Sequence, residues 1–107
     1  MMRSYTFGAH GDMDSVQQRL GRLWGVTLQL HDSSFRGGDF YMIRTRELEI
    51  IVQRNFIEDD GELSEPGLPD HSVVVYISQD VALPAFDFAD SGLHLLKAWG
   101  VQGNSGA

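Results

Sequence analysis

The residues with the chemistry for proton transfer or metal binding are four histidines and fifteen acids. The histidines, His10, His31, His71 and His94, are far apart, and no pair has the close helical spacing of a zinc site. His31 and His71 each adjoin an aspartate. Neighbouring residues of a strand point to opposite faces, however, so adjacency alone does not build a catalytic dyad. The sequence therefore predicts no catalytic residue, no metal ligand and no cofactor.

The run Glu-Asp-Asp-Gly-Glu over 58–62 invites comparison with a calcium-binding loop. Aligning Gly61 with the glycine of an EF-hand places Phe56 at the first ligand position and Gly67 at the position of the bidentate glutamate. The EF-hand interpretation therefore fails, and three alternatives stay open: an irregular divalent site, a solvated loop and a partner-facing surface. No serine has a Gly-x-Ser-x-Gly setting and no glycine run matches a phosphate-binding loop.

The acidic span 56–71 is the longest interruption between apolar runs and holds six of the fifteen acids. Between Asn55 and Leu96 there are nine acids and no lysine or arginine, and the net charge of the chain is −7. Nucleic acids and anionic membranes both require clustered basic residues, so neither is an expected partner. The charge favours a basic protein partner.

Size and composition predict a single domain. The chain has 107 residues, of which 42% are hydrophobic, and this is enough for one ordinary core. We expect one α+β domain over residues 1–100 and a flexible C-terminal tail over 101–107. The sequence has no cysteine, no bilayer-length apolar run and no signal-peptide pattern at its start, which favours a cytoplasmic location.

The first half of the chain predicts a strand, a helix and a second strand. Residues 3–10 alternate between apolar and polar side chains. Asp12 is a suitable N-cap and Gly25 a suitable C-cap for a helix with an apolar stripe of Val16, Leu20 and Leu23. Residues 26–31 alternate again and should bury Val26, Leu28 and Leu30.

The second half predicts a hairpin, a central strand and a closing pair of elements. Residues 39–44 and 48–56 flank the polar turn 45–47, with Phe40, Met42 and Arg44 in an inward row. The register stays open, and Arg44 and Arg46 could pair across the strands with Glu47 and Glu49. Residues 72–77 are apolar on both faces, as a central strand should be. Residues 80–91 predict a second short helix, and 93–99 either a strand, which Gly92 favours, or a continued helix. The expected fold is α+β, a largely antiparallel sheet of about five to six strands with two helices packed on one face.

Candidate partner-binding residues combine an aromatic anchor with a polar rim, the composition of an interface hot spot. Phe56 borders the acidic span, and Tyr41 lies in the hairpin. The complete candidate set is Phe56, Glu58, Asp59, Asp60, Glu62, Glu65, Asp70 and Tyr41.

The middle half of the chain resembles small immunity proteins that accompany bacterial polymorphic toxins. The resemblance lies in Arg36-Gly-Gly-Asp-Phe-Tyr-Met-Ile-Arg44, in Leu48-Glu-Ile-Ile-Val-Gln-Arg-Asn55 and in Asp60-Gly-Glu-Leu-Ser-Glu-Pro66. Immunity proteins of contact-dependent growth inhibition and related systems are small, acidic, cytoplasmic, poor in cysteine and diverse in fold. The resemblance implies an antitoxin with no enzymatic activity of its own.

The resulting hypothesis is an inhibitor that occludes the active site of a cognate toxin domain. A nuclease is the expected toxin, because its substrate cleft is basic and acidic side chains can mimic phosphates. Free in solution, such a protein is expected to be a monomer or a weak homodimer. Two alternatives remain: a small enzyme that uses His71 or His31 with a carboxylate in a sheet-edge cleft, and a non-catalytic regulatory subunit.

Overall fold

The computed structural model describes residues 2–33, 38–55, 65–68, 70–80 and 92–100. These residues form one helix and six strands. The elements in chain order are β1 (Met2–Ala9), α1 (Met13–Trp24), β2 (Gln29–Ser33), β3 (Gly38–Arg44), β4 (Leu48–Arg54), β5 (Val73–Asp80) and β6 (Leu93–Gly100).

The six strands form one antiparallel sheet with the order β2-β3-β4-β5-β1-β6. The predicted largely antiparallel sheet of five to six strands is therefore confirmed. As the sequence indicated, β5 is a central strand, lying between β4 and β1 with Val73, Val74 and Val75 buried. Residues 93–99 belong to a strand, β6, which forms one edge of the sheet.

Helix α1 begins and ends where the sequence predicts. The Asp12 side chain accepts a hydrogen bond from the backbone N–H of Ser15 at 2.7 Å, and Gly25 ends the helix in the left-handed conformation with φ of 67°. The helix packs against β3 and β4. Gly21 permits a close approach between α1 and the segment that follows it, since a Cβ at this position would lie 2.7 Å from the carbonyl oxygen of Val26.

The apolar stripe of α1 differs from the prediction by one residue. Met13, Val16 and Leu20 are buried and Trp24 packs against the core, but Leu23 is 51% exposed. At about 100° per residue, Leu23 lies roughly 80° around the helix from Met13 and roughly 100° from Trp24, at the margin of the buried face. The predicted place of Leu23 in the stripe is therefore wrong.

The β3–β4 hairpin forms across residues 45–47, with Arg44 opposite Glu49 and their side chains in an ion pair. Its inward rows differ from the prediction. Tyr41 and Ile43 pack against the core beneath α1, whereas Phe40 is buried on the opposite face of the sheet. Both faces of this sheet bury apolar residues, so alternation alone does not identify the face that the helix covers.

Strand β2 begins at Gln29, later than the predicted Val26, and Leu30 is 57% exposed. The predicted burial of Leu30 is therefore wrong, while that of Leu28 is confirmed. The reason is position, because β2 is the other edge strand, next to β3, and α1 packs against β3 and β4.

Other predictions fall largely outside the described residues. The second helix was placed at 80–91, where Asp80 is instead the last residue of β5 and the remainder is not described. The same holds for the tail 101–107. Within the described ranges, no helix combines the length and apolar character that crossing a bilayer would require.

Candidate functional site

A groove of about 800 Å³ opens at the end of the sheet where α1 begins. Its walls come from the helix N-terminus, from the starts of β3 and β5 and from the segment before β5. Four aspartates line the groove: Asp12, Asp14, Asp39 and Asp70. Arg54 is the one lysine or arginine among its described lining residues, so the groove is acidic.

The helix N-terminus fixes two of these aspartates. Asp12 caps the helix, and the hydrogen bonds from the Ser15 backbone and side chain lower the pKa of the Asp12 carboxyl. Asp14, in the first turn, accepts a hydrogen bond from Gln18 at 3.0 Å. Both carboxylates also interact favourably with the positive end of the helix dipole. Asp39 lies on β3 and Asp70 in the segment before β5, and all four aspartates are exposed.

Tyr41 joins the sheet to the helix at the floor of the groove. Its hydroxyl donates a hydrogen bond to Oδ1 of Asp14 at 3.1 Å, and its ring packs against the core. Desolvation of the phenol, followed by the hydrogen bond to Asp14 and the negative charges of Asp14, Asp39 and Asp12, raises the pKa of Tyr41. Tyr41 therefore presents a neutral hydroxyl to a negatively charged groove.

The groove wall that carries Asp70 is held by Asn55, whose role the sequence analysis missed. The buried Asn55 amide donates to the carbonyl oxygens of Leu68 at 2.8 Å and His71 at 3.1 Å. Its side-chain oxygen accepts from the backbone N–H of Glu65 at 2.7 Å. A buried asparagine directly after a strand offers only a weak sequence signal, because asparagine is equally common in turns.

The same segment is attached to the sheet by a second bond. The hydroxyl of Tyr76 on β5 donates to Oε2 of Glu65 at 2.8 Å. Glu65 is half-buried and its carboxylate is occupied by this contact, so it is less suited to a partner-binding role than the sequence suggested.

The structure brings together only part of the predicted binding set. Tyr41 and Asp70 line the same groove, and Glu65 lies behind its wall. The remaining members lie outside the described residues: Phe56, Glu58, Asp59, Asp60 and Glu62. Asp12, Asp14 and Asp39 were missed as groove residues, since their convergence depends on the packing of the helix N-terminus beside β3.

A cluster of three histidines lies beside the groove. His10 follows β1, His71 precedes β5 and His94 is on β6, and one ligand nitrogen from each lies within 4.8 Å of the others. Nε2 of His71 is 2.5 Å from Nδ1 of His94, and the His10 and His71 rings are stacked with centroids 4.5 Å apart. His71 also lines the groove, which makes the histidine cluster and the groove neighbours.

Gly8 forms the floor of the histidine cluster. It pairs with His94 across β1 and β6, and His10 follows it by two residues along the chain. A Cβ at Gly8 would lie 2.6 Å from Cγ of His71, so the absence of a side chain lets the His71 ring rest against the strand.

The His71 ring is held in a defined environment. Burial, together with the positive charge that His10 and His94 would carry, lowers the pKa of His71, and Asp70 opposes this shift. Its Nδ1 is buried with no hydrogen-bond partner among the described residues, so Nε2 is the nitrogen that faces the other rings. His31 lies apart from them, on β2, where its ring stacks on Phe40.

The proximity of the three histidines does not follow from their spacing in the chain. Sequence analysis predicted no metal ligand because the residues are not close in the chain. The described residues nevertheless bring three imidazoles from separate parts of the chain to one place, which is an arrangement that can bind a metal ion.

No family model, curated protein or solved structure matches this chain.

Proposed function

We propose that this protein is a cytoplasmic immunity protein that captures a basic surface of a cognate toxin domain through its acidic groove. The observation that carries the proposal is the convergence of four aspartates around Tyr41 in a groove large enough for several side chains. A nuclease remains the toxin class that this charge fits best, because nucleases bind polyanions through basic residues.

The groove combines fixed and accessible charge. Hydrogen bonds at the helix N-terminus hold Asp12 and Asp14, and all four aspartates of the groove are exposed. Fixed carboxylates lose little side-chain entropy when a basic group binds, and exposed carboxylates attract that group from a distance. Complementary charge of this kind speeds association and limits the choice of partner.

Tyr41 and Leu30 supply the apolar part of the proposed interface. Both line the groove, and Leu30 is 57% exposed although it lies on the face that carries the core. A partially exposed leucine and a tyrosine surrounded by acids have the composition of a hot spot with a polar rim. The acids of 58–62 remain a prediction from the sequence as a further part of this interface.

The alternative of an enzyme with a His/carboxylate site has less support. His71 lies beside Asp70 in the groove, but its Nδ1 is buried and its Nε2 faces His94. A general base needs a nitrogen within hydrogen-bond reach of a substrate proton. In this arrangement Nδ1 of His71 is enclosed and Nε2 contacts His94, so we keep the immunity protein as the proposal and the enzyme as the alternative.

The test uses the product of the gene immediately upstream of this one as the candidate toxin. Binding kinetics would be measured at two salt concentrations for the wild type and for the single variants Asp39→Lys and Asp70→Lys. Both substitutions should slow association by about tenfold or more and reduce rescue of growth during toxin expression. Wild-type association should slow as salt rises.

Glu47→Lys is the matched control. Glu47 is exposed in the β3–β4 turn, at the opposite end of β3 from Asp39, and its reversal changes the net charge by the same amount. The control should associate nearly as fast as the wild type. Equal slowing by Glu47→Lys would mean that net charge and not the groove guides the partner, and no binding at all would remove the immunity proposal for that gene pair.

A further inference from the structure

We propose that His10, His71 and His94 form a binding site for a divalent transition metal, with Zn²⁺ as the representative ion. The site is independent of the proposed immunity function. It takes three of the four histidines in the chain, each from a different element, and includes no carboxylate among the described residues.

The distances suit one metal ion. Two nitrogens bound to tetrahedral zinc at about 2.0–2.1 Å lie roughly 3.4 Å from each other. The three ligand nitrogens all lie within 4.8 Å of one another, and the His71–His94 pair is closer, at 2.5 Å. Small side-chain rotations would therefore convert the cluster to coordination geometry. His10 and His94 are both exposed, so surrounding atoms do not prevent such rotations.

Backbone contacts fix the position of His71, the central ligand of the proposed site. His71 is the half-buried member, and the Asn55 amide binds its carbonyl oxygen at 3.1 Å. Its ring occupies the space above Gly8 that a side chain would otherwise fill. The segment before β5 and the strand β1 are thus both shaped so that Nε2 of His71 faces His94.

The donor set selects the class of ion. Imidazole nitrogens suit Zn²⁺, Cu²⁺ and Ni²⁺, whereas Mg²⁺ and Ca²⁺ require oxygen ligands. Three protein nitrogens leave at least one coordination position for water or another donor, as in zinc sites with an open position. This position is accessible because two of the three ligands are exposed.

The experiment is titration of the untagged full-length chain with ZnSO₄ by isothermal calorimetry, with CoCl₂ followed by visible absorption as a second probe. We expect one Zn²⁺ per chain and, for Co²⁺, the absorption bands of nitrogen coordination. Replacing either exposed ligand, as in His10→Ala or His94→Ala, should weaken Zn²⁺ binding by more than about tenfold. MgCl₂ should give no binding.

His31→Ala is the matched control, because it removes the one histidine outside the cluster. It should bind Zn²⁺ as the wild type does, and circular dichroism would establish that every variant is folded. Gly8→Ala tests the site without removing a ligand and should weaken Zn²⁺ binding by about 10- to 100-fold through displacement of His71. Absence of Zn²⁺ and Co²⁺ binding to the wild type, or equal binding by folded His10→Ala and His94→Ala, would overturn the proposal.

Discussion

Gly8 and His71 are in direct contact, with the imidazole ring resting on the strand backbone so closely that a Cβ on Gly8 would lie 2.6 Å from Cγ of the ring. The contact links β1 to the segment before β5 and fixes the position from which Nε2 of His71 faces His94. Gly8, which has no functional group, thus positions the imidazole of His71.

Gly8→Ala should destabilise the fold by about 1–3 kcal/mol, the usual cost of overpacking a close contact. Alanine normally stabilises a strand relative to glycine, so the expected sign is the reverse of the intrinsic preference. Urea denaturation would measure the difference. The control is the same substitution in a His71→Ala background, which removes the ring contacts at 2.6 and 2.9 Å and keeps only the contact with Cβ at 3.0 Å, so the loss should be smaller. An equal loss in both backgrounds would show that the His71 ring is not the cause.

Asn55→Ala should destabilise the protein by about 3 kcal/mol, because it removes one buried and two partly buried hydrogen bonds to the backbone of Leu68, His71 and Glu65. Hydrogen exchange should also become faster at Glu65, whose N–H bonds to the Asn55 side chain. Ser72→Ala is the control, since it removes one exposed hydrogen bond to the Gly11 carbonyl and should cost less than about 1 kcal/mol. Similar losses for the two variants would contradict the role assigned to Asn55.

Gly21→Ala should lower stability by about 1–3 kcal/mol, although glycine to alanine ordinarily favours a helix. The physical reason is the Val26 carbonyl oxygen, 2.7 Å from the position of the new Cβ. Thermal and urea unfolding would measure the change, with Arg22→Ala on the exposed side of the same turn as the control. The control should change stability by less than about 0.5 kcal/mol. A stabilised Gly21→Ala variant would show that the loop after α1 relaxes without cost.

Asp14→Asn should move the pKa of Tyr41 back towards its ordinary value, because it removes one negative charge and weakens the hydrogen bond to the phenol. The shift should be incomplete, since desolvation is the largest cause and remains. Ultraviolet titration of phenolate, with Tyr41→Phe subtracted to isolate this residue, would measure it. An unchanged pKa of Tyr41 in Asp14→Asn would show that Asp14 does not contribute to the shift.

The raised pKa of Tyr41 also predicts a direction for stability at high pH. A pKa higher in the folded state than in the unfolded state favours the neutral phenol, so the contribution is fully present below the unfolded value near 10. It is lost as the pH rises through the folded value. The wild type should therefore lose more stability than Tyr41→Phe over this alkaline range, as urea denaturation at several pH values would measure.

Local patterns were sufficient for most of the elements. Asp12 and Gly25 mark the ends of α1, the polar turn 45–47 joins the hairpin, and the apolar run before Ile77 identifies a central strand. Each signal depends on residues that are close in the chain and act on their own backbone through capping, turn geometry or burial on both sides.

The faces of those elements required the tertiary structure. Leu23 and Leu30 fit an apolar pattern but are exposed. Leu23 lies at the margin of the buried face of α1, and Leu30 lies on the edge strand β2, whereas α1 packs against β3 and β4. Phe40 is buried on the face opposite the helix. The periodicity of apolar residues indicates that an element has two different faces, but it does not indicate which other element packs on each face.

The sequence by itself determined the acidic character, the order of α1 and the strands, and the ends of α1. The tertiary structure decided the candidate site. Asp39 and Asp14 line the same groove because β3 lies beside the helix. His10, His71 and His94 form a cluster because β6 and the segment before β5 lie beside β1. These contacts join residues far apart in the chain. Their geometry comes from strand order and register, which depend on the packing of the whole sheet and not on any local stretch of residues.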